Sequence, residues 1–452
     1  MVSEQKLASF IHNVDFSDLD GETVRTVKRQ MTALYGALIA GSTSGAAAAA
    51  GFVNDMGGKP EATVFVHGGK VPAQQAAFAN ATMGRALDID DHISPGAHIG
   101  AAVIPAAFAA AELIGGCSGK DFITAVAAGT EISMRLMLEE DDYAGFDPTG
   151  ITSVFSTAAA VSKLLGLDEN LIWNALGLVS DRSGASFQHY IDGVLAGPLM
   201  QGYVSRDGVE SARLAKCGIT GTINYLEGVY SYFHLFCTDK TDASHVTEAL
   251  GSEWRMKNLN FKKFPSCGLT QGSTELTLSM VEKHGFKAED VERVEILIPP
   301  FTFKLVGHPF KIGENPRVDA QFNVAYCVAN AIMRAPVTLA HFDEKLIRDP
   351  DILDFIKERI TVISDPSIER THYSSDLRVL TKGGKEYRGQ IDVPPGTPKH
   401  PMTDDEHRAR FYDCVKFSGK QWLEGREEPI LSFIETLEDK DDVRAMIPLF
   451  LP

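Results

Sequence analysis

Three aspartates and two histidines crowd into one short segment of this chain, ALDIDDHISPGAHIG (86–100). A carboxylate beside an imidazole fixes its tautomer and raises its basicity, so such a cluster can take a proton and return it. Asp88 and His92 are four apart, and a helix that continues through His92 puts them on one face. Pro95 and Gly96 then break that helix and could fold His98 back toward the pair. Taken singly the same residues are ordinary: Asp90, Asp91 and Ser94 suit a solvated helix end, and each histidine suits a local hydrogen bond. Asp88, His92 and His98 could also hold zinc or iron for hydrolysis, but their spacing matches no specific metal motif and no metal is assigned.

Three further segments carry groups of interest. In FKKFPSCGLTQ (261–271), Lys262 and Lys263 could pair with a substrate carboxylate or stabilise an enolate, where a fixed cation is worth more than in water. A solvated linker is the competing reading. Cys267 reads more readily as a small packed residue than as a nucleophile, because no base sits at an activating spacing. AGFDPTGI (144–151) is a turn running into a helix, and free N–H groups at such a helix start suit an anion. In GPLMQGYVSRDG (197–208) Arg206 is the only cation, as suited to the surface as to a substrate.

These segments need a scaffold, and 452 residues exceed one ordinary core, so two domains are expected. From residue 20 to about 235, Ala-rich helical periodicity alternates with Gly or Pro punctuation. It predicts helices at 22–40, 72–88, 100–115, 119–138, 151–165, 169–180 and 199–216. After residue 262 strand-like runs appear at 293–298 and 360–364. LRVLTKGGKEYRGQIDV (377–393) reads as a hairpin turning at Lys382-Gly383-Gly384-Lys385. Helices at 272–284, 319–334 and 350–358 are interleaved, and 403–437 returns to charged amphipathic helix. The predicted fold is mainly α: a large discontinuous all-helical domain (1–262 and 398–452) with a smaller inserted α+β lid domain (263–397). A cleft between two such domains is a common binding place.

Lys plus Arg number 43 against 60 Asp plus Glu, a net charge of −17. That balance counts against nucleic acid and anionic membranes as partners, since their affinity rests on neutralising phosphates. It leaves a small anionic substrate open, because a few cations in a cleft set the local field. Six scattered cysteines offer no zinc or iron–sulfur spacing and read as reduced thiols. The N-terminus lacks the pattern of a signal peptide, and no uninterrupted apolar run is long enough to span a membrane; a cytoplasmic protein is expected.

The four segments, in this order, resemble the MmgE/PrpD family, whose activities include dehydration of 2-methylcitrate, decarboxylation of cis-aconitate and epimerisation of iminodisuccinate. ALDIDDHISPGAHIG is similar to the family's ALDFDDT…HP segment, GFDPTG to GWHPTG, and KKFPSC to KPYPSC. VIPAAFAAAELIGGCSGKDFITAVAAGTEISMRL, ARLAKCGITG with LEGVYSYF, and DAQFNVAY (319–326) follow in the expected order over about 300 residues.

The resemblance implies a helical domain with a lid domain, a homodimer, no cofactor, and chemistry at a carbon next to a carboxylate. The matching site positions are Asp88, His98 and Lys262, with Tyr326 a further match, and His92 stands where relatives usually have Thr. Asp147 replaces the His of GWHPTG, Gly197 and Met200 replace the Lys and His of KPLHAG, and Gln271 replaces a His after PSC. Each lost charged hydrogen bond weakens recognition by about 1.5–3 kcal/mol, which favours a smaller or less charged acid than a tricarboxylate. Arg206 or Arg182 could replace the missing lysine. The expected enzyme abstracts a proton α to a carboxylate or carbonyl, with His98 or His92 as base, Asp88 orienting it and Lys262 stabilising the enolate. Asp147, Arg206, Lys263, Cys267 and Tyr326 are the expected substrate contacts. A 2-methylcitrate dehydratase-like hydro-lyase is the leading expectation; an epimerase, a decarboxylase or a catalytically degenerate binding protein are the alternatives.

Overall fold

A computed structural model describes residues 2–94, 96–139, 142–237 and 243–452. The chain divides into two compact units: Met1–Ile191 with Leu195–Leu259 and Cys414–Pro452, and Asp192–Val194 with Asn260–Asp413. The fold is mainly α, with small sheets.

The first unit is built of helices α1 (Ser3–Asn13), α2 (Gly21–Gly41), α3 (Ala48–Met56), α4 (Ala73–Arg85), α5 (Gly100–Leu113), α6 (Gly119–Arg135), α7 (Pro148–Leu164), α8 (Glu169–Ser180), α9 (Gln188–Ile191) and α10 (Ala196–Lys216). Their starts follow capping chemistry. Asp20, Ser118 and Asp168 accept the backbone N–H of Thr23, Asp121 and Leu171, so donors with no partner inside the helix are satisfied by side chains. Helix α5 is buried from Gly100 through Glu112, and its alanines allow neighbours to close in on every side. A Cβ at Gly129 of α6 would lie 2.5 Å from the Ser156 carbonyl of α7, and one at Gly208 of α10 would lie 2.1 Å from Thr157 Oγ1. Glycine at these crossings is therefore a packing requirement.

The boundary that bears on the site is corrected. The helix expected over 72–88 ends at Arg85, and Asp88 takes a left-handed backbone conformation (φ 54°), so Asp88 and His92 do not share a helix face. Pro95, expected to end that helix, lies outside the described residues. Helices α1 and α3 were not anticipated.

In the second unit a four-stranded sheet has the order β4-β3-β5-β6, where β3 is Val291–Ile298, β4 Ile360–Ser364, β5 Ser375–Thr381 and β6 Glu386–Ile391 (β1, Ala62–Thr63, and β2, Lys70–Val71, form a short ladder in the first unit). β3 runs parallel to β4 (Val294 opposite Ile360) and antiparallel to β5 (Ile296 opposite Leu377). The β5–β6 hairpin turns at the anticipated Lys-Gly-Gly-Lys, with Gly384 at φ 76°. Val294, Ile296, Ile298, Leu377 and Val379 join a core completed by α11 (Gln271–His284), α13 (Val324–Met333) and α14 (Pro350–Arg359). The single helix expected at 319–334 is two, because Asn323 caps α13 through the Tyr326 N–H and separates it from α12 (Pro316–Gln321). Helices also cover Asp404–Ser418 and Glu427–Glu435. Among the described residues no single helix is long and apolar enough to cross a membrane.

Candidate active site

Arg85 ends α4 pointing into a turn that gathers acidic groups around it. Its Nη1 lies 2.6 Å from Asp88 Oδ1 and 3.9 Å from Asp90 Oδ1, all three side chains buried. Ile93 and Ala97 exchange backbone hydrogen bonds of 2.9 and 3.0 Å, and this closure carries His98 back over the aspartates. His98 Nδ1 sits 3.1 Å from Asp90 Oδ2, while Nε2 is 3.8 Å from Asp88 Oδ1. The carboxylate nearest His98 is thus Asp90, a residue the sequence placed at a solvated helix end, and not Asp88. The His92 ring is buried with its centroid 6.2 Å from that of His98.

Burial works against a charged Arg85, but the Tyr190 ring face beneath it and the Asp88, Asp90 and Asp147 carboxylates around it outweigh that cost and hold the guanidinium charged. Asp91 is different. Burial, with the negative Asp90 beside it, pushes its carboxyl up to about 7, although Gln30 Nε2 and the Gly100 N–H donate to its Oδ2 at 3.1 Å each. A proton-holding carboxyl therefore borders the His98 cluster.

The second half of the arrangement comes from the start of α7. Asp147 caps it, its Oδ1 accepting the Thr149 N–H at 2.8 Å. The anion expected at this helix start is therefore the chain's own Asp147 carboxylate. Thr149 Oγ1 in turn accepts the His98 backbone N–H at 3.0 Å and the Gln201 amide at 3.3 Å. Asp147 Oδ2 lies 3.3 Å from His189 Nε2 on α9. The His189 ring meets Tyr190 edge-on at 4.4 Å, and the Arg85 guanidinium sits over the Tyr190 ring at 5.3 Å. Burial keeps the Tyr190 phenol protonated, above its ordinary range. His189 and Tyr190 were not singled out from sequence; their only signal is a histidine–tyrosine pair in a connection without helical periodicity.

Arg206 and Arg182 both approach Asp207. Arg206 donates to Asp207 Oδ1 at 2.8 Å and stacks over Tyr203, and Arg182 Nη1 is 3.9 Å from the same oxygen.

In the second unit Lys262, Lys263 and Cys267 share the segment that leads into α11, which Gln271 opens. Lys262 is 1% exposed, and its carbonyl accepts from Arg410. Lys263 is bound by Glu275 at 3.0 Å and Glu406 at 2.9 Å; burial disfavours its charge, but these carboxylates outweigh that and raise its pKa. Cys267 is half-buried with its N–H on the Gln321 carbonyl. Gln271 fastens the loop, accepting the Phe264 N–H at 2.9 Å and donating to the carbonyls of Phe264 and Ser266 at 3.0 and 3.1 Å. Tyr326 lies in the unit's core between Phe310 and Phe342, its hydroxyl on the His341 carbonyl at 2.6 Å.

Asp88, Asp90 and His98 bring ligand atoms within 4.8 Å of one another, the spacing a metal ion needs. Asp90, not His92, completes that trio. The residues fit an ion poorly, because the Arg85 guanidinium already supplies the positive charge against Asp88.

A buried imidazole between two carboxylates on a mainly helical scaffold has the chemistry of a proton-transfer site. The MmgE/PrpD N-terminal domain matches residues 5–244 and the MmgE/PrpD C-terminal domain residues 264–432, and the chain belongs to that family. It is similar to the cis-aconitate decarboxylase of Mus musculus, 24% identical over 84% of this chain and 79% of that protein. The cis-aconitate decarboxylase of Homo sapiens is 23% identical over 98% of this chain and 94% of its own length. A cis-aconitate decarboxylase-like protein of Aspergillus oryzae is 24% identical over 83% and 82%.

Proposed function

We propose that the protein is a lyase that abstracts a proton α to a carboxylate or carbonyl of a small organic acid, with His98 as base. The observation that carries this is the 3.1 Å contact of His98 Nδ1 with Asp90, which fixes the ring and stabilises the imidazolium formed when Nε2 takes a proton. Family membership supports lyase chemistry. Among lyase reactions, loss of a β-hydroxyl is our reading; the names of the relatives favour decarboxylation as the second. The substrate carries fewer carboxylates than a tricarboxylate. Asp88 and Asp90 flank His98, and Asp147 joins them around Arg85, their one cation; a field of that sign repels a multiply charged anion. Lys262 as the group that stabilises developing negative charge rests on the family resemblance.

Incubation of the protein with mono- and dicarboxylic hydroxy acids, citrate, 2-methylcitrate and cis-aconitate in deuterated water, followed by NMR, tests the reading. Alkene formation with α-deuterium exchange is expected for a hydroxy acid, lost in His98→Gln by roughly a hundredfold or more and reduced in Lys262→Met. Carbon dioxide release from cis-aconitate selects decarboxylation instead. Exchange without net conversion selects an epimerase, and a thermal shift without exchange or conversion a binding protein.

A further inference from the structure

Three of the residues that depart from the motifs of the resemblance, Asp147, Gly197 and Met200, lie close to the start of α7 and to α9 in the first unit. Asp147 stands where relatives carry the histidine of GWHPTG, and here it faces His189 at 3.3 Å. Both Asp147 Oδ2 and His189 Nε2 are buried, and among the described residues neither makes a hydrogen bond, so they meet as an ion-pair contact. Gly197 stands where relatives carry a lysine. A Cβ there would come within 3.0 Å of the Tyr190 ring and 3.2 Å of His189 Cδ2, so any side chain at 197 competes with His189 and Tyr190 for the same space. Met200, in place of a histidine, has its sulfur beside Gly150 at the start of α7. On the motif resemblance, the lysine and two histidines of that pattern are missing here, and one histidine from α9 faces Asp147 in their neighbourhood.

This pair is tied to the His98 cluster. Thr149 gives its N–H to Asp147 and takes the His98 N–H on its hydroxyl, so one residue fixes both carboxylate–imidazole pairs. From the other side Arg85 joins Asp88 to Tyr190, against which His189 packs.

We propose that His189, positioned by Asp147, is the second proton-transfer group of the site, acting as general acid on the leaving group while His98 acts as base. The proposal rests on the lyase reading above. His98 takes the α-proton, the C–H electron pair forms the new C=C bond, and the β C–O bond breaks. His189, its Nε2–H toward Asp147, gives its Nδ1 proton to the departing oxygen, so that water leaves; solvent then removes the proton from His98 and restores that of His189. A one-base site could exchange the α-proton but would expel hydroxide, which is far the poorer leaving group.

The test separates the two steps with substrate in deuterated water. His189→Gln is expected to retain α-deuterium exchange within about threefold of wild type while product formation falls on the order of a hundredfold or more, whereas His98→Gln loses both. Asp147→Asn keeps a helix-capping residue but withdraws the carboxylate that faces His189, so product formation is expected to fall while α-deuterium exchange stays near that of wild type. Added imidazole is expected to restore part of the turnover of His189→Ala, a readout that a purely structural role would not give. Unchanged product formation in His189→Gln overturns the proposal. So does an equal loss of exchange and product with no imidazole rescue of His189→Ala. A wild-type protein that exchanges and converts while the His189 variants behave normally leaves the lyase reading standing; one that does neither with any acid overturns both.

Discussion

At Asp91 two carboxylates are neighbours in sequence and in space, and one of them keeps its proton. Its folded pKa near 7 lies above the ordinary 3.8, so the folded state binds that proton more tightly than the unfolded chain does. The stabilisation is complete below about pH 4 and is lost as pH rises toward 7. Asp91→Asn removes the titration and keeps an oxygen for Gln30 and Gly100. We expect urea midpoints of the wild type to decline from pH 5 to 8 relative to those of the variant, by up to about 1.4 kcal/mol per pH unit at the steepest. Parallel curves would remove Asp91 as the titrating group. The same crowding explains what the sequence left undecided at this scale. The spacing of Asp88 and His92 suggested a helical pair, but a left-handed residue at Asp88 and the Arg85 ion pair turn the chain, so that Asp90 meets His98. His189 carried no usable signal, because its partner Asp147 is over forty residues away in sequence, beyond the reach of local periodicity.

At the scale of elements, the loop 262–271 shows how a departure from a family pattern can be structural. Gln271 opens α11 and folds its amide back over Phe264 and Ser266, satisfying a buried donor and two acceptors that have left regular structure. Gln271→Ala leaves those groups unpaired, and we expect a loss of about 1–3 kcal/mol in urea unfolding. Helix positions were readable from the sequence where apolar periodicity and a cap coincide: α6 begins after Ser118, α8 after Asp168, and the β5–β6 turn falls on its Gly-Gly. Reading failed where a single side chain overrides periodicity, as Asn323 does between α12 and α13.

For the whole molecule the charge balance argues against one class of partner. A net charge of −17 counts against binding phosphate backbones, and we expect no mobility shift of DNA or RNA at about 0.15 M salt, where counterion release already weakens even basic binders. A retained complex would require a concentrated basic face that overcomes the total. The sequence by itself determined the helical majority, the sheet hairpin and family membership, because periodicity, capping residues and motif order are properties of neighbours along the chain. Tertiary structure alone decided that Asp90 meets His98, that Arg85 pairs with Asp88, and that Gly197 leaves room for His189 beside Asp147. Those relations depend on the backbone reversing direction and on helices far apart in sequence meeting, and buried charge is arranged by what surrounds it in space.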